Sequence, residues 1–356
     1  MNLIADSVER LFAGRVTRAQ RDAAAAGAFD AELWAQLAEA GLPHMLCPES
    51  AGGLGLGLSD AWPVLHGIGH FQLPLPLAET MMATRLLAAA GLDVPDGPLT
   101  LLEQGRCPSL RRQGEAGALR LSGEAARVPW ARHAKAVAVA LDDGRIARLD
   151  LSPRSGLAIE PHADLAGLPA DTLRLDGCTV AVGSAPALRE PAWTLGAAAR
   201  AASMAGALEW AVTQSVRYAG ERVQFGKPIG RNQALQQQLA LMAGDAAAAR
   251  MAAQVALADL DADPVAGWFG TAVAKVRCGE AATRGTAIAH QVHGAIGFTQ
   301  EHALHHATRR LWAWRADFGT DAEWAAELGR AAIAAGSAGF WSGLTAKTLA
   351  PPTRTP

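Results

Sequence analysis

The stretch ERVQFGKPIGRNQALQQQLA, Glu221 to Ala240, sets an arginine, an aromatic and a glycine turn between two alanine-rich runs. Arg222 carries a planar guanidinium suited to a phosphate or carboxylate. Phe225 offers an aromatic face, and the Pro and Gly residues around it interrupt the helix. A second candidate is QVHGAIGF, Gln291 to Phe298, with an amide followed by Gly294 and Gly297. The plainer readings are a solvated or salt-bridged helix end for Arg222, and a helix cap or bundle packing for Gln291. GGLGLG, Gly52 to Gly57, looks like a phosphate loop. It lacks the preceding strand and the following Lys-Ser/Thr that such a loop needs, so a turn is expected. Cys47, Cys107, Cys178 and Cys278 lie far apart and fit no metal spacing. They read as buried or idle thiols of a reducing cytoplasm. His302, His305 and His306 cluster without the context of a metal motif, and no metal is expected.

The elements that must position these residues fall into three zones. Residues 1–103 read as an N-terminal helical domain. In it, Asp30 is an N-cap and Leu33, Trp34 and Leu37 share a face of a helix ending at Gly41. Residues 104–188 read as a small antiparallel β domain. AKAVAVALDDGRIARLDL is a strand, an Asp143-Gly144 turn and a strand, and DTLRLDGCTVAV repeats the design around Asp176-Gly177. Residues 189–346 return to long, small-residue helices of a bundle. Residues 347–356 read as a disordered tail. The fold class is α+β, mainly α.

In this order, with the β zone between, the motifs identify the chain as resembling the acyl-CoA dehydrogenase family. RYAGERVQFGKPIGRNQALQQQLALMA resembles its R-x-x-F-G turn between bundle helices. QVHGAIGF resembles its Q-x-x-G-G-x-G segment, and AEAGLPHMLCPESAGGLGLGLSD its N-terminal helix and loop. The resemblance implies an N-terminal α domain, a central β domain and a C-terminal four-helix bundle, with FAD held at a subunit interface. It implies α,β-desaturation of an acyl-CoA: a carboxylate takes the α proton and a hydride passes from the β carbon to the flavin. Carried over residue by residue, Arg222 meets the FAD pyrophosphate and Phe225 the adenine end. Gln291, Gly294 and Gly297 face the dinucleotide, and Ala295 replaces a usual glycine.

The family's catalytic glutamate belongs to a Tyr-Glu-Gly-Thr element, and here that position falls on Phe318. Gly319 and Thr320 match the Gly-Thr that follows, which places Thr320 with the cofactor-binding set. Some members carry the base on the early bundle helix, near Gly196 here, and that position is also empty. Asp317 and Glu209 are weak substitutes, each more simply a surface or capping carboxylate. The Thr-Glu-Pro loop of the β domain has become SLRRQGEAG. The flavin-touching Trp-Ile-Thr strand has become ARVPWARHA, where Trp130 is either a flavin neighbour or a core tryptophan.

What is kept acts across the interface in this family, and what is lost acts within one subunit. The resemblance therefore extends to the short subunits of heteromeric α2β2 dehydrogenases acting on CoA esters of steroid side chains or other bulky acyl groups. The partners expected are an acyl-CoA substrate, a paralogous subunit or a homo-oligomeric copy, and an electron-transferring flavoprotein. The alternatives are a catalytically silent scaffold subunit, or a flavin oxidase or monooxygenase on the same fold. A net charge of −2 with 19% charged residues gives no basis for nucleic-acid binding. No apolar run reaches membrane-spanning length and no N-terminal signal is visible, so a cytoplasmic location is expected.

Overall fold

The computed structural model describes residues 3–114, 118–153, 155–184 and 187–351. Five helices lead: α1 (Leu3–Arg15), α2 (Arg18–Ala25), α3 (Ala31–Glu39), α4 (Trp62–His70) and α5 (Leu77–Ala89). Eight strands follow: β1 (Leu99–Glu103), β2 (Arg111–Gln113), β3 (Arg120–Pro129), β4 (Ala136–Ala140), β5 (Ile146–Asp150), β6 (Leu157–Glu160), β7 (Ala170–Thr179) and β8 (Ala181–Gly183). Next come α6 (Pro191–Glu221) and two short strands, β9 (Val223–Gln224) and β10 (Lys227–Pro228). The chain closes with α7 (Gln233–Ala262), α8 (Pro264–His293), α9 (Leu304–Ala316) and α10 (Asp321–Ala346). Residues 352–356 of the expected tail, and residues 115–117 of the altered β-domain loop, lie outside the described residues. Among the described residues, no helix is long and apolar enough to cross a membrane.

The chain divides into two compact units that cut across the three compositional zones. One comprises residues 1–18, 62–73 and 200–356; the other comprises 19–61 and 74–199. In the first, α6 to α9 share a core that includes Ala211, Met242, Ala289 and Leu304. A single residue, Asp263, reverses the chain between α7 and α8. Its carboxylate accepts from the amides of Val265 and Ala266 at 2.8 Å, and Pro264 occupies the first turn, where its missing N–H costs nothing. Small residues let α4 meet α6 almost backbone to backbone. Ser203 Oγ donates to the carbonyl of Leu65 at 3.0 Å. A Cβ on Gly206 would lie 2.0 Å from the His66 carbonyl, and one on Gly69 1.7 Å from that of Ser203.

In the second unit, the Asp30 carboxylate caps α3 by accepting from Leu33 N at 2.9 Å, and Leu33, Trp34 and Leu37 are buried. Two four-stranded sheets, β1-β4-β5-β8 and β2-β3-β7-β6, contribute to one apolar core, with Val137 and Val139 from the first and Leu121 and Leu173 from the second. The Asp143-Gly144 hairpin forms as expected, joining β4 to β5.

Two sequence expectations change here. Strand β1 begins at Leu99, inside the stretch read as helical, and pairs parallel with β4, so that sheet is mixed. All five of its residues are buried, and a strand covered on both faces shows no alternation. Its start is pinned by Thr80, whose Oγ1 accepts from Leu99 N at 3.0 Å. Asp176-Gly177 makes no turn. Strand β7 runs through it, with a register shift against β3 between Leu121 and Gly123. Gly177, at φ 63, supplies the backbone of a bulge and donates its N–H to Ser122 Oγ at 2.9 Å.

Behind β1, Glu103 sits against the start of α6, accepting from Trp193 N at 3.2 Å. Burial pushes its carboxyl up to about 8, outweighing the backbone hydrogen bond that favours the anion. Nearby, Arg106 pairs with Glu190 at 2.9 Å and lies over the Trp193 ring.

Three variants test these contacts. Gly206→Ala should destabilise the protein by ~3 kcal/mol or more in denaturant melts, since neither backbone can withdraw. Gly244→Ala on α7, where a Cβ meets nothing within 4 Å, should gain about 1 kcal/mol in the isolated chain. Equal effects would contradict the packing. For Glu103 the raised value favours the protonated form in the fold. Its contribution is complete below the usual value of 4.5 and is lost as pH rises through about 8. Glu103→Gln should therefore gain on the wild type between pH 6 and pH 8; a pH-independent difference would refute the assignment.

Candidate functional site

Helix α6 ends at Glu221 and the chain turns at once into the β9–β10 hairpin. Gln224 pairs with Lys227 and Val223 with Pro228, leaving Phe225 and Gly226 as a two-residue loop. Both take positive φ, 53° and 78°, the pattern of a type I′ turn matched to strand twist. For a phenylalanine this conformation costs about 1 kcal/mol. Its ring is also 99% exposed.

The hairpin forms one wall of a pocket of ≈ 650 Å³, within the usual range for a cofactor site. The facing wall is the end of α8 and the 3₁₀ turn after it, from Gln291 to Ile296. Four of the sequence-derived residues, Arg222, Phe225, Gln291 and Gly294, thus meet at one cavity, together with Ala295. Gly294 adopts φ 61, and a Cβ there would point into open space. Among the described residues, Arg222 makes no ion pair, and no carboxylate lines the pocket.

Two of the expected residues lie elsewhere. Gly297 is buried and does not line the cavity. A Cβ on it would lie 2.9 Å from His293 Cβ, so its lack of a side chain serves packing. Thr320 is the N-cap of α10. Its oxygen accepts from Glu323 N at 3.1 Å, and its amide donates to the Glu323 carboxylate at 2.7 Å. That capping box fixes the start of the helix.

Other pocket residues were not singled out in the sequence. Tyr218 lies one helical turn before Arg222, and its ring stacks on His293 at 4.6 Å. His293 donates from Nδ1 to the Ala289 carbonyl at 2.7 Å and packs against His302. Burial, then neighbouring cationic groups, lowers His293 and His302 below the ordinary histidine value. This wall is therefore neutral at physiological pH. The positive charge of the pocket comes from Arg222 and Lys227. Lys227 was legible in principle, because it faces Gln224 across a two-residue turn and alternation puts Arg222 on the same side.

The turn expected to carry a base is built from fixed groups. Phe318 has φ 51 and Gly319 φ 93. Asp317 accepts from Arg200 Nε at 3.0 Å, with both side chains largely buried. Lys275, fully enclosed, donates to the carbonyls of Trp314 at 3.0 Å and Asp317 at 2.7 Å, and burial lowers it to about 8. Trp324 Nε1 holds the Phe318 carbonyl at 2.9 Å. Glu209 is engaged by His66 at 3.2 Å and Arg250 at 3.0 Å. Trp130 is 3% exposed and packs edge-on against Phe29, in the core of its unit.

Residues 192–333 match the family described as "Acyl-CoA dehydrogenase, C-terminal domain", and residues 1–93 match "Acyl-CoA dehydrogenase, N-terminal domain". The acyl-CoA dehydrogenase IpdE2 of Mycobacterium tuberculosis is 31% identical over 280 residues, which cover 78% of this chain and 79% of that protein. The Tcur3481-Tcur3483 steroid ACAD variant aligns with a TM-score of 0.83 at 26% identity, over 94% of this chain and 97% of that one. The ChsE4-ChsE5 complex from Mycobacterium tuberculosis shares the fold, with a TM-score of 0.82 at 24% identity, over 92% of this chain and 95% of that one.

The Asp317 geometry makes a direct prediction. Asp317→Ala would leave the Arg200 cation buried without its counterion and should cost roughly 3–5 kcal/mol in stability. A variant that keeps its stability and loses only turnover would instead mark Asp317 as a base.

Proposed function

The chain belongs to the acyl-CoA dehydrogenase family, FAD-dependent oxidoreductases, and on that premise we propose that it is the subunit that grips the ADP end of FAD for a partner chain. The observation carrying this reading is Phe225, a strained aromatic wholly in solvent at the mouth of a cationic pocket. An adenine ring supplies the face that Phe225 lacks. The Arg222 guanidinium suits a pyrophosphate through charge-assisted hydrogen bonds. Gln291 adds an amide, and Gly294 leaves its backbone open to close approach. Gly297 acts indirectly, by packing against His293 next to these groups, while Thr320 caps α10 and lines no part of the pocket.

Bound flavin would supply the hydride acceptor for α,β-desaturation of an acyl-CoA. This chain's own groups bind and orient. The phenylalanine at position 318 cannot take a proton, and Asp317 is held as the counterion of Arg200. The base then comes from the partner. Exposed apolar residues of this region of the chain, Val223, Ile296 and Phe298, suit burial under a second chain. On α7, Leu241, Gly244, Ala248, Met251 and Val255 repeat at alternating spacings of three and four on an exposed, uncharged stripe, as in helices that pack between chains. The steroid dehydrogenase named above suggests a CoA ester of a bulky, steroid-type acyl group as substrate. An electron-transferring flavoprotein is the proposed acceptor.

Co-expression with an acyl-CoA dehydrogenase chain that keeps the catalytic glutamate is the test. The lone chain should purify colourless and inactive, and the pair should be yellow and oxidise acyl-CoA. Arg222→Ala should lower the FAD content of the pair. A yellow, active lone chain would sink the proposal.

A further inference from the structure

Lys227 lines the same pocket as Arg222 and makes no ion pair among the described residues. The hairpin register fixes where the two cations stand. Lys227 is directly opposite Gln224, and the amide of Ile229 donates to the Arg222 carbonyl at 2.9 Å. With side chains alternating along the hairpin, Arg222, Gln224 and Lys227 share one face, and all three line the cavity. Arg222 and Lys227 are diagonal neighbours across the ladder, about 7–8 Å apart at the backbone. Two long cationic side chains at that spacing can each meet a different phosphate of one diphosphate. With no carboxylate lining the pocket, their mutual repulsion is relieved only by an anion.

We propose that Lys227 is the second phosphate ligand of this pocket and makes it select a nucleoside diphosphate over a monophosphate. The inference rests on the reading of the pocket as the seat of an ADP group. It adds a positioning residue and a ligand preference to that reading. Arg222 serves one phosphate, Lys227 the other, and the Phe225-Gly226 turn holds the two strands in register.

Calorimetric titration of ADP and AMP into the full chain tests it. The wild type should prefer ADP by about tenfold, the scale of one charge-assisted hydrogen bond. Lys227→Gln should lose that preference while binding AMP as before, and Lys227→Arg should restore it. Lys227 is exposed, so the fold does not depend on it. A Lys227→Gln chain that still prefers ADP overturns the inference; if Arg222→Gln weakens both nucleotides in the same series, the pocket reading stands. A wild type that binds neither nucleotide overturns the reading and the inference together.

Discussion

A phenylalanine held at φ 53 with its ring 99% in solvent is the constraint on which the site turns. The backbone conformation costs about 1 kcal/mol, and leaving the ring wet forfeits roughly 2 kcal/mol of burial. Natural turns of this type place asparagine or glycine at that position for good reason. The two penalties are offset if another surface meets the ring. The hairpin geometry follows from the same requirement. A two-residue loop brings Gln224 opposite Lys227, and alternation turns Arg222 the same way. One strained residue thus sets the positions of the cations around it.

The charges of the first unit divide into two kinds. Arg200, Asp317 and Lys275 are enclosed and mutually satisfied. Their function is mechanical: they fix the turn at Phe318 through backbone carbonyls and one ion pair. Arg222 and Lys227 are open and unpaired among the described residues. An unpaired cation on a surface is ordinary, because water solvates it. Two on one hairpin face, in a pocket lined by no carboxylate and by one imidazole that burial holds below its ordinary value, form a field with a single sign. The lowered His293 matters here because its protonation would add charge to a pocket whose two cations already repel.

Much of this was legible in the sequence because the signals were local. The Asp30 cap, the Asp143-Gly144 hairpin and the long helices α6, α7 and α8 depend on residues within a few positions of each other. The convergence of Arg222, Phe225, Gln291 and Gly294 came from motif order, and the pocket gathers them. The failures were non-local. Asp176-Gly177 reads as a turn until β3 lies alongside, and then it is a bulge. The buried run of β1 lacks the alternation that marks a strand with one wet face. Gly297 looks like Gly294 in the motif, yet one packs against His293 and the other borders the cavity. Lys227 was passed over because exposed lysines are common, and its meaning depends on the hairpin register.

The two candidate regions differ in what they would require of another chain. The turn at Asp317 and Phe318 is complete. Its carboxylate is neutralised, its carbonyls are capped, and Thr320 begins the next helix with both partners of its capping box in place. Nothing there calls for a ligand. The pocket at Arg222 is the reverse. Its cations lack counterions among the described residues, its aromatic ring lacks a face, and apolar Ile296 stands exposed in its lining. A closed turn at Phe318 and an open pocket at Arg222 are what the proposed division of labour between subunits would require. On that proposal the proton acceptor is dispensable in the chain that clamps the cofactor, and the clamp stays unsatisfied until its ligand arrives.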